Sequence, residues 1–117
     1  MQDFRNLKVW QKAHARTLAV YRVTVTFPGD ERFGLTIQLR RNASDMPTNL
    51  ADGTSRETDA EFRKALFAAM SAGSRLEYLL LLAHDLGYLA AADQQRLETE
   101  VIEVKRMLAG LLHSVRG

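Results

Sequence analysis

The side chains able to do chemistry in this chain are few, and their spacing excludes most of what they could do. His14, His84 and His113 are the only histidines among 117 residues, and there is no cysteine. A thiolate zinc site and a disulfide framework are therefore excluded. A di-iron helical bundle needs Glu-x-x-His on two helices, so that ligands three residues apart turn inward together. No glutamate stands three residues before any histidine here. His14 shares a helical face with Trp10 and Leu18, where a half-buried imidazole with one hydrogen-bond partner is expected rather than a metal ligand. No phosphate-binding loop, nucleophile elbow or dinucleotide fingerprint occurs. Ser71-Ala72-Gly73-Ser74 falls mid-helix with no histidine or acid beside it, and small residues there serve close helix approach. No catalytic residue, no metal and no cofactor are expected.

The basic residues are more ordered. Arg5, Lys8, Lys12 and Arg16 step by three, four and four, which at about 100° per residue makes one stripe on a helix. Arg40-Arg41 and the group Arg56, Arg63 and Lys64 extend the possibilities. Each phosphate neutralised by such a group releases counterions. The whole chain carries sixteen basic and fourteen acidic residues, a net charge of +2 that does not by itself mark a nucleic-acid binder. The excess belongs to residues 1–27, with five bases against the single acid Asp3. The candidate phosphate contacts are therefore Arg5, Lys8, Lys12, Arg16, Arg40 and Arg41, against the plainer reading of a solvated face.

Four helices must position these groups. Hydrophobic residues make up 46% of the chain and only two prolines and seven glycines interrupt it, as expected of one all-α domain over residues 1–117. The first helix is expected from about Asn6 to Phe27, with Leu7, Trp10, His14, Leu18, Tyr21 and Val25 as its core face. Pro28-Gly29-Asp30 ends it, and Asp30 can cap a second helix running from about Glu31 to Asp52 through Leu39, Ala43, Met46 and Leu50. Pro47 inside that helix predicts a kink or break near Asp45-Met46, Asn49 can serve backbone groups freed there, and Gly53 predicts a stop. Thr58-Asp59-Ala60-Glu61 is a capping box for a third helix reaching Leu86, with Gly87 beyond it. Its seam is Phe62, Leu66, Ala69, Gly73, Leu76, Leu80 and Ala83. A fourth helix from about Asp93 to Val115 carries Leu97, Val101, Val104, Leu108 and Leu111. Short loops between such helices give an antiparallel up-down-up-down four-helix bundle with a proline-kinked second helix.

One chain has too few neighbours for this much apolar surface. Leu79 to Leu82 are consecutive and span most of a helix circumference. Ile102 and Leu112 flank the seam of the fourth helix, and Val9, Ala13 and Val20 lie off the expected face of the first. A homo-oligomer is expected, with Leu79, Leu81, Leu82, Ile102 and Leu112 as its interface, against the plainer reading of a wide intramolecular core with a few exposed leucines. No charge-free run approaches the ~18 residues of a membrane span. No signal peptide is visible at the N-terminus, and a cytoplasmic protein without a membrane partner is expected.

The string Phe4-Arg5-Asn6-Leu7-Lys8-Val9-Trp10-Gln11-Lys12-Ala13 resembles the opening of the four-helix-bundle family of intervening-sequence proteins, encoded within inserts of bacterial large-subunit ribosomal RNA genes and elsewhere as free-standing genes. The resemblance continues through Phe27-Pro28, Glu31 to Thr36 and Gln38 to Ala43. Met46-Pro47-Thr48-Asn49-Leu50-Ala51-Asp52-Gly53 then resembles the family's Ile-Pro-x-Asn-Ile-Ala-Glu-Gly signature. Asp59-Ala60-Glu61-Phe62, Leu76-Glu77-Tyr78 and Leu86-Gly87-Tyr88 also fit. The chain departs from the pattern at Asn42, Ser44 and Asp45, at Ser71, and at Arg75, which stands where an acid is frequent. Asp45 is expected to weaken the positive field of Arg40-Arg41. The resemblance implies an antiparallel four-helix bundle assembled as a homopentamer. The same family includes the accessory protein of diversity-generating retroelements, a basic pentameric barrel that associates with nucleic acid and a reverse transcriptase.

The expected function is a non-enzymatic homo-oligomer associated with RNA or DNA through basic faces, its partners being itself, nucleic acid, and a reverse transcriptase or other protein. The alternative is a protein-interaction scaffold that binds no nucleic acid.

Overall fold

The computed structural model describes residues 3–115, so that 1, 2, 116 and 117 of the expected domain lie outside the described residues. The described residues form four α-helices and no strand: α1 Lys8–Thr24, α2 Leu35–Thr54, α3 Asp59–Asp85 and α4 Ala91–Ser114. Short 3-10 turns at Phe4–Asn6 and Gly29–Glu31 precede α1 and α2. α1 packs on α2, α2 on α3, α3 on α4, and α4 returns to α1. Contacts pair residues in reversed order along successive helices: Thr17 and Thr24 of α1 meet Ala43 and Arg40 of α2, while Gly53 and Asn42 of α2 meet Phe62 and Arg75 of α3.

The expected seams of α2, α3 and α4 form the core. Leu39, Met46, Leu66, Leu80, Leu97 and Val104 are fully buried in one cluster. α1 does not follow its expected face. It buries Val9, Ala13, Thr17, Val20 and Thr24, whereas Leu18, Tyr21 and Val25 are exposed. The reason lies in the threonines. Thr24 Oγ1 lies 2.8 Å from the Val20 carbonyl of its own helix. The one hydroxyl proton of Thr17 is shared between the Ala13 carbonyl at 3.0 Å and the Ala43 carbonyl of α2 at 2.9 Å. Both hydroxyls are thus satisfied by backbone, and their methyls can enter the core.

α2 is neither broken nor stopped where the sequence predicts. It runs through buried Pro47 to Thr54. Proline deprives the carbonyl four residues earlier of its helical donor. That carbonyl belongs to Ala43, and Thr17 Oγ1 on α1 reaches it at 2.9 Å. Asn49 instead donates its amide to the Asp45 carbonyl at 2.7 Å. Gly53 is helical, and it is small for a packing reason: a Cβ there would sit 2.6 Å from Ala65 Cβ. The start of α2 is served by Glu31 rather than Asp30, its Oε1 accepting from the Leu35 amide at 3.1 Å.

α3 begins and ends as its sequence dictates. Thr58 Oγ1 accepts from the Glu61 amide at 3.2 Å. The Glu61 carboxylate, however, accepts from the Thr58 hydroxyl rather than from its amide. Gly87 has φ +83° past the helix end, and the Tyr88 amide donates back to Ala83. Arg75 Nε donates to Asn42 Oδ1 at 2.8 Å and ties α3 to α2. Run-counting also missed one property of α3. An 18-residue stretch of this helix has mean hydropathy 1.3 although Arg75 and Glu77 interrupt it, so by length and composition alone α3 is apolar enough to cross a membrane. In the bundle it packs against both α2 and α4.

Replacing Thr17 with Val keeps the shape and leaves the Ala43 carbonyl buried and unpaired. Thr17→Val should lower unfolding free energy by about 1–3 kcal/mol in urea titrations, and Thr17→Ser by less. Equal stability of Thr17→Val and the parent would show that the hydroxyl does not repair the proline gap.

Candidate nucleic-acid interface

The basic stripe of α1 faces a row of acids on α4. Lys12 Nζ lies 2.5 Å from Glu103 Oε1, and Arg16 pairs with Glu100. Arg16 is drawn into the seam between the helices, where its Nε is buried with no hydrogen-bond partner among the described residues. Burial lowers its pKa, partly offset by the charge of Glu103, and the guanidinium remains cationic. Arg5 bonds Asp3 and lies over the Phe4 ring at 4.4 Å. Lys8 is exposed and makes no ion pair among the described residues. Two of the four stripe residues thus hold α1 to α4, a role their spacing alone did not reveal.

The arginines of α2 have no carboxylate partner among the described residues. Arg40 Nε donates to Thr24 Oγ1 at 2.8 Å, and its guanidinium lies 4.7 Å from the Tyr21 ring centre. Arg41 is exposed beside it. Asp45 forms no ion pair with either. Arg32, which the sequence reading passed over, lies 5.5 Å from the Phe33 ring and lines the same groove as Arg40 and Arg41. The only sequence signal for it was its place beside an aromatic residue just ahead of α2.

The remaining bases are occupied or scattered. Arg56 is held by Asp52, whose hydrogen bonds raise its pKa, and Arg63 donates to the Leu112 and Val115 carbonyls at the end of α4. The histidines do not converge. His14 is exposed, its ring stacked on Trp10 at 5.0 Å, and it has no hydrogen-bond partner among the described residues, contrary to expectation. His84 Nδ1 lies 2.9 Å from the Leu89 carbonyl, which it serves as a donor in the tautomer that fits. Among the described residues no three potential ligands cluster for a metal.

The expected subunit contacts divide. Leu79 is 8% exposed and belongs to the core of its own chain, because the inward arc of α3 is wider than the heptad seam. Leu82 and Leu112 are half-buried against that core, and Ile102 is half-buried on α4. Leu81 is 45% exposed. Sequence reasoning missed its companions Phe67 and Tyr78, which are exposed on the same face with Ser71 and Ser74 between them. Positions 67, 71, 74, 78 and 81 step four, three, four, three, a second seam outside the first. Gly73 lies on the inner side, where a Cβ would come within 3.1 Å of Lys105 Cγ and 3.3 Å of Met46 Sδ.

Residues 5–110 match the 23S rRNA-intervening sequence protein family. The chain belongs to that family. The crystal structure of a protein of unknown function from the S23 ribosomal protein family of Bacteroides thetaiotaomicron has the same fold, with a TM-score of 0.80 at 18% identity over 89% of this chain and 97% of the other. Among curated proteins none matches.

In this intervening-sequence protein the α1–α4 ion pairs should be visible in titration. The hydrogen bond and charge of Lys12 hold the Glu103 carboxyl below its ordinary range. Such a depressed acid stabilises the fold above its unfolded pKa, and that contribution is lost as pH falls through the folded value. Glu103 should therefore titrate lower in the parent than in Lys12→Met when followed by NMR, and the melting temperature of the parent should fall more steeply on acidification. An identical Glu103 midpoint in both would show that the pair does not form.

Proposed function

We propose that this member of the family is a non-enzymatic homo-oligomer, a pentamer, that associates with nucleic acid through basic surface. The observation that carries the reading is the outer seam of α3. Phe67, Tyr78 and Leu81 stand exposed along one helical face, with only serines between them. Apolar side chains in such a row gain by contact with another surface, at about 25 cal/mol per Å² buried. In a closed ring of five the row of each copy packs on a different face of its neighbour, and small Ser71 and Ser74 permit close approach. Arg32, Arg40 and Arg41, free of carboxylates, then recur on every subunit, and a ring sums their field.

The ion pairs Lys12–Glu103 and Arg16–Glu100 favour a second reading, a scaffold for another protein without nucleic acid. The two readings separate in a nucleic-acid retention assay at low and high salt, comparing the parent with Tyr78→Ser, Leu81→Gln. These neutral changes leave charge untouched. Nucleic-acid association predicts retention by the parent that weakens steeply with salt, and weaker retention once the outer seam is disrupted. No retention at low salt, with a specific protein recovered after nuclease treatment, would establish the scaffold instead.

A further inference from the structure

We propose that the seam between α1 and α2 is a binding site for single-stranded nucleic acid, with bases stacked on its exposed aromatic rings and phosphates held by its arginines. The inference rests on the nucleic-acid half of the reading above and names the form of nucleic acid and the place. A groove of about 470 Å³ opens between Tyr21 on α1 and Phe33, Ile37, Arg40 and Arg41 at the start of α2. Phe33 is 84% exposed, and neither it nor Tyr21 contributes to the core. Each ring has a guanidinium within 6 Å of its centre, Arg32 for Phe33 and Arg40 for Tyr21. Ser44 also lines a second, shallower groove, which continues the seam to Trp10 and His14 with their rings 9° from parallel. Exposed ring surfaces thus recur along one seam at His14, which covers half-buried Trp10, and at Tyr21 and Phe33.

No carboxylate lines either groove. Of the acids adjoining the lining residues in sequence, Glu31 is turned away, one oxygen accepting from the Leu35 amide and the other from the Tyr88 hydroxyl. Asp3 and Asp52 are taken up by Arg5 and Arg56, and Asp45 forms no ion pair with Arg40 or Arg41 among the described residues. The seam therefore combines positive charge with apolar π-faces. That pairing suits a chain that offers phosphates and unstacked bases together. A duplex offers only its phosphates, because its bases are already stacked. A second copy meeting this face with the same face would have to bury its arginines against arginines, which is costly. An acidic peptide would satisfy the arginines and leave Phe33 without a partner.

The test uses the full chain, a fluorescent single-stranded oligothymidine, a duplex of matched length, and polyglutamate as competitor. Anisotropy should show tighter binding of the single strand, and the fluorescence of the sole tryptophan, Trp10, should change on binding. Phe33→Ala should weaken single-strand binding about fivefold or more, without changing duplex binding or the solution mass. Arg41→Gln should weaken both and reduce the salt slope by about one counterion. Equal binding of duplex and single strand, with Phe33→Ala silent, would overturn the stacking site and leave nucleic-acid association standing. Binding of neither would overturn both. Competition by polyglutamate as strong as that by unlabelled oligothymidine would reassign the seam to acidic chains, and a changed mass in Phe33→Ala would reassign it to a subunit contact.

Discussion

A helix that is apolar around most of its circumference needs neighbours on more sides than α3 has. α2 and α4 cover two flanks, and they divide the four consecutive leucines. Leu79 and Leu80 point inward, Leu82 sits half-covered at the edge, and Leu81 faces out with Tyr78 and Phe67. The inner seam makes the bundle, since its residues meet those of α2 and α4 in one cluster. The outer seam is what remains when one chain has used the neighbours it owns. The homo-oligomer proposed above would resolve that remainder with the same chemistry that builds the core.

The other side of the molecule is governed by pairing rather than by surplus apolar area. α4 places Glu100 and Glu103 against α1, and these acids take up Arg16 and Lys12. The Lys105–Glu77 pair, at 2.7 Å, does the same between α3 and α4. Three arginines without a carboxylate partner among the described residues gather on and just before α2, where Arg32, Arg40 and Arg41 share a groove with exposed rings. Thr24 accepts from Arg40 and so helps fix the guanidinium near Tyr21.

Much of the fold was legible because strong local signals agreed with the packing. The Thr58 cap, the positive-φ Gly87 and the seams of α2, α3 and α4 all lie where residue type and spacing put them. α1 was misread because threonine counts as polar in a periodicity argument, while here its hydroxyls bond carbonyls and its methyls pack. Gly53 was misread because a glycine that ends a helix and one that admits a neighbour look alike in sequence. The candidate site was only half legible. Spacing revealed the stripe of α1 and the pair Arg40-Arg41, but which cations meet acids depends on which helix lies alongside. That is tertiary information, and it moved Lys12 and Arg16 from the candidate site into the contact between α1 and α4.

The account stands or falls on the state of association. Sedimentation velocity of the unmodified chain at micromolar concentration measures it without labels, ligands or substitutions. A single species at a multiple of the 13.2 kDa subunit mass, five copies on the present reading, is the result predicted. A stable species of 13.2 kDa, unchanged as concentration rises, would contradict it, because the outer seam of α3 would then be at rest in water.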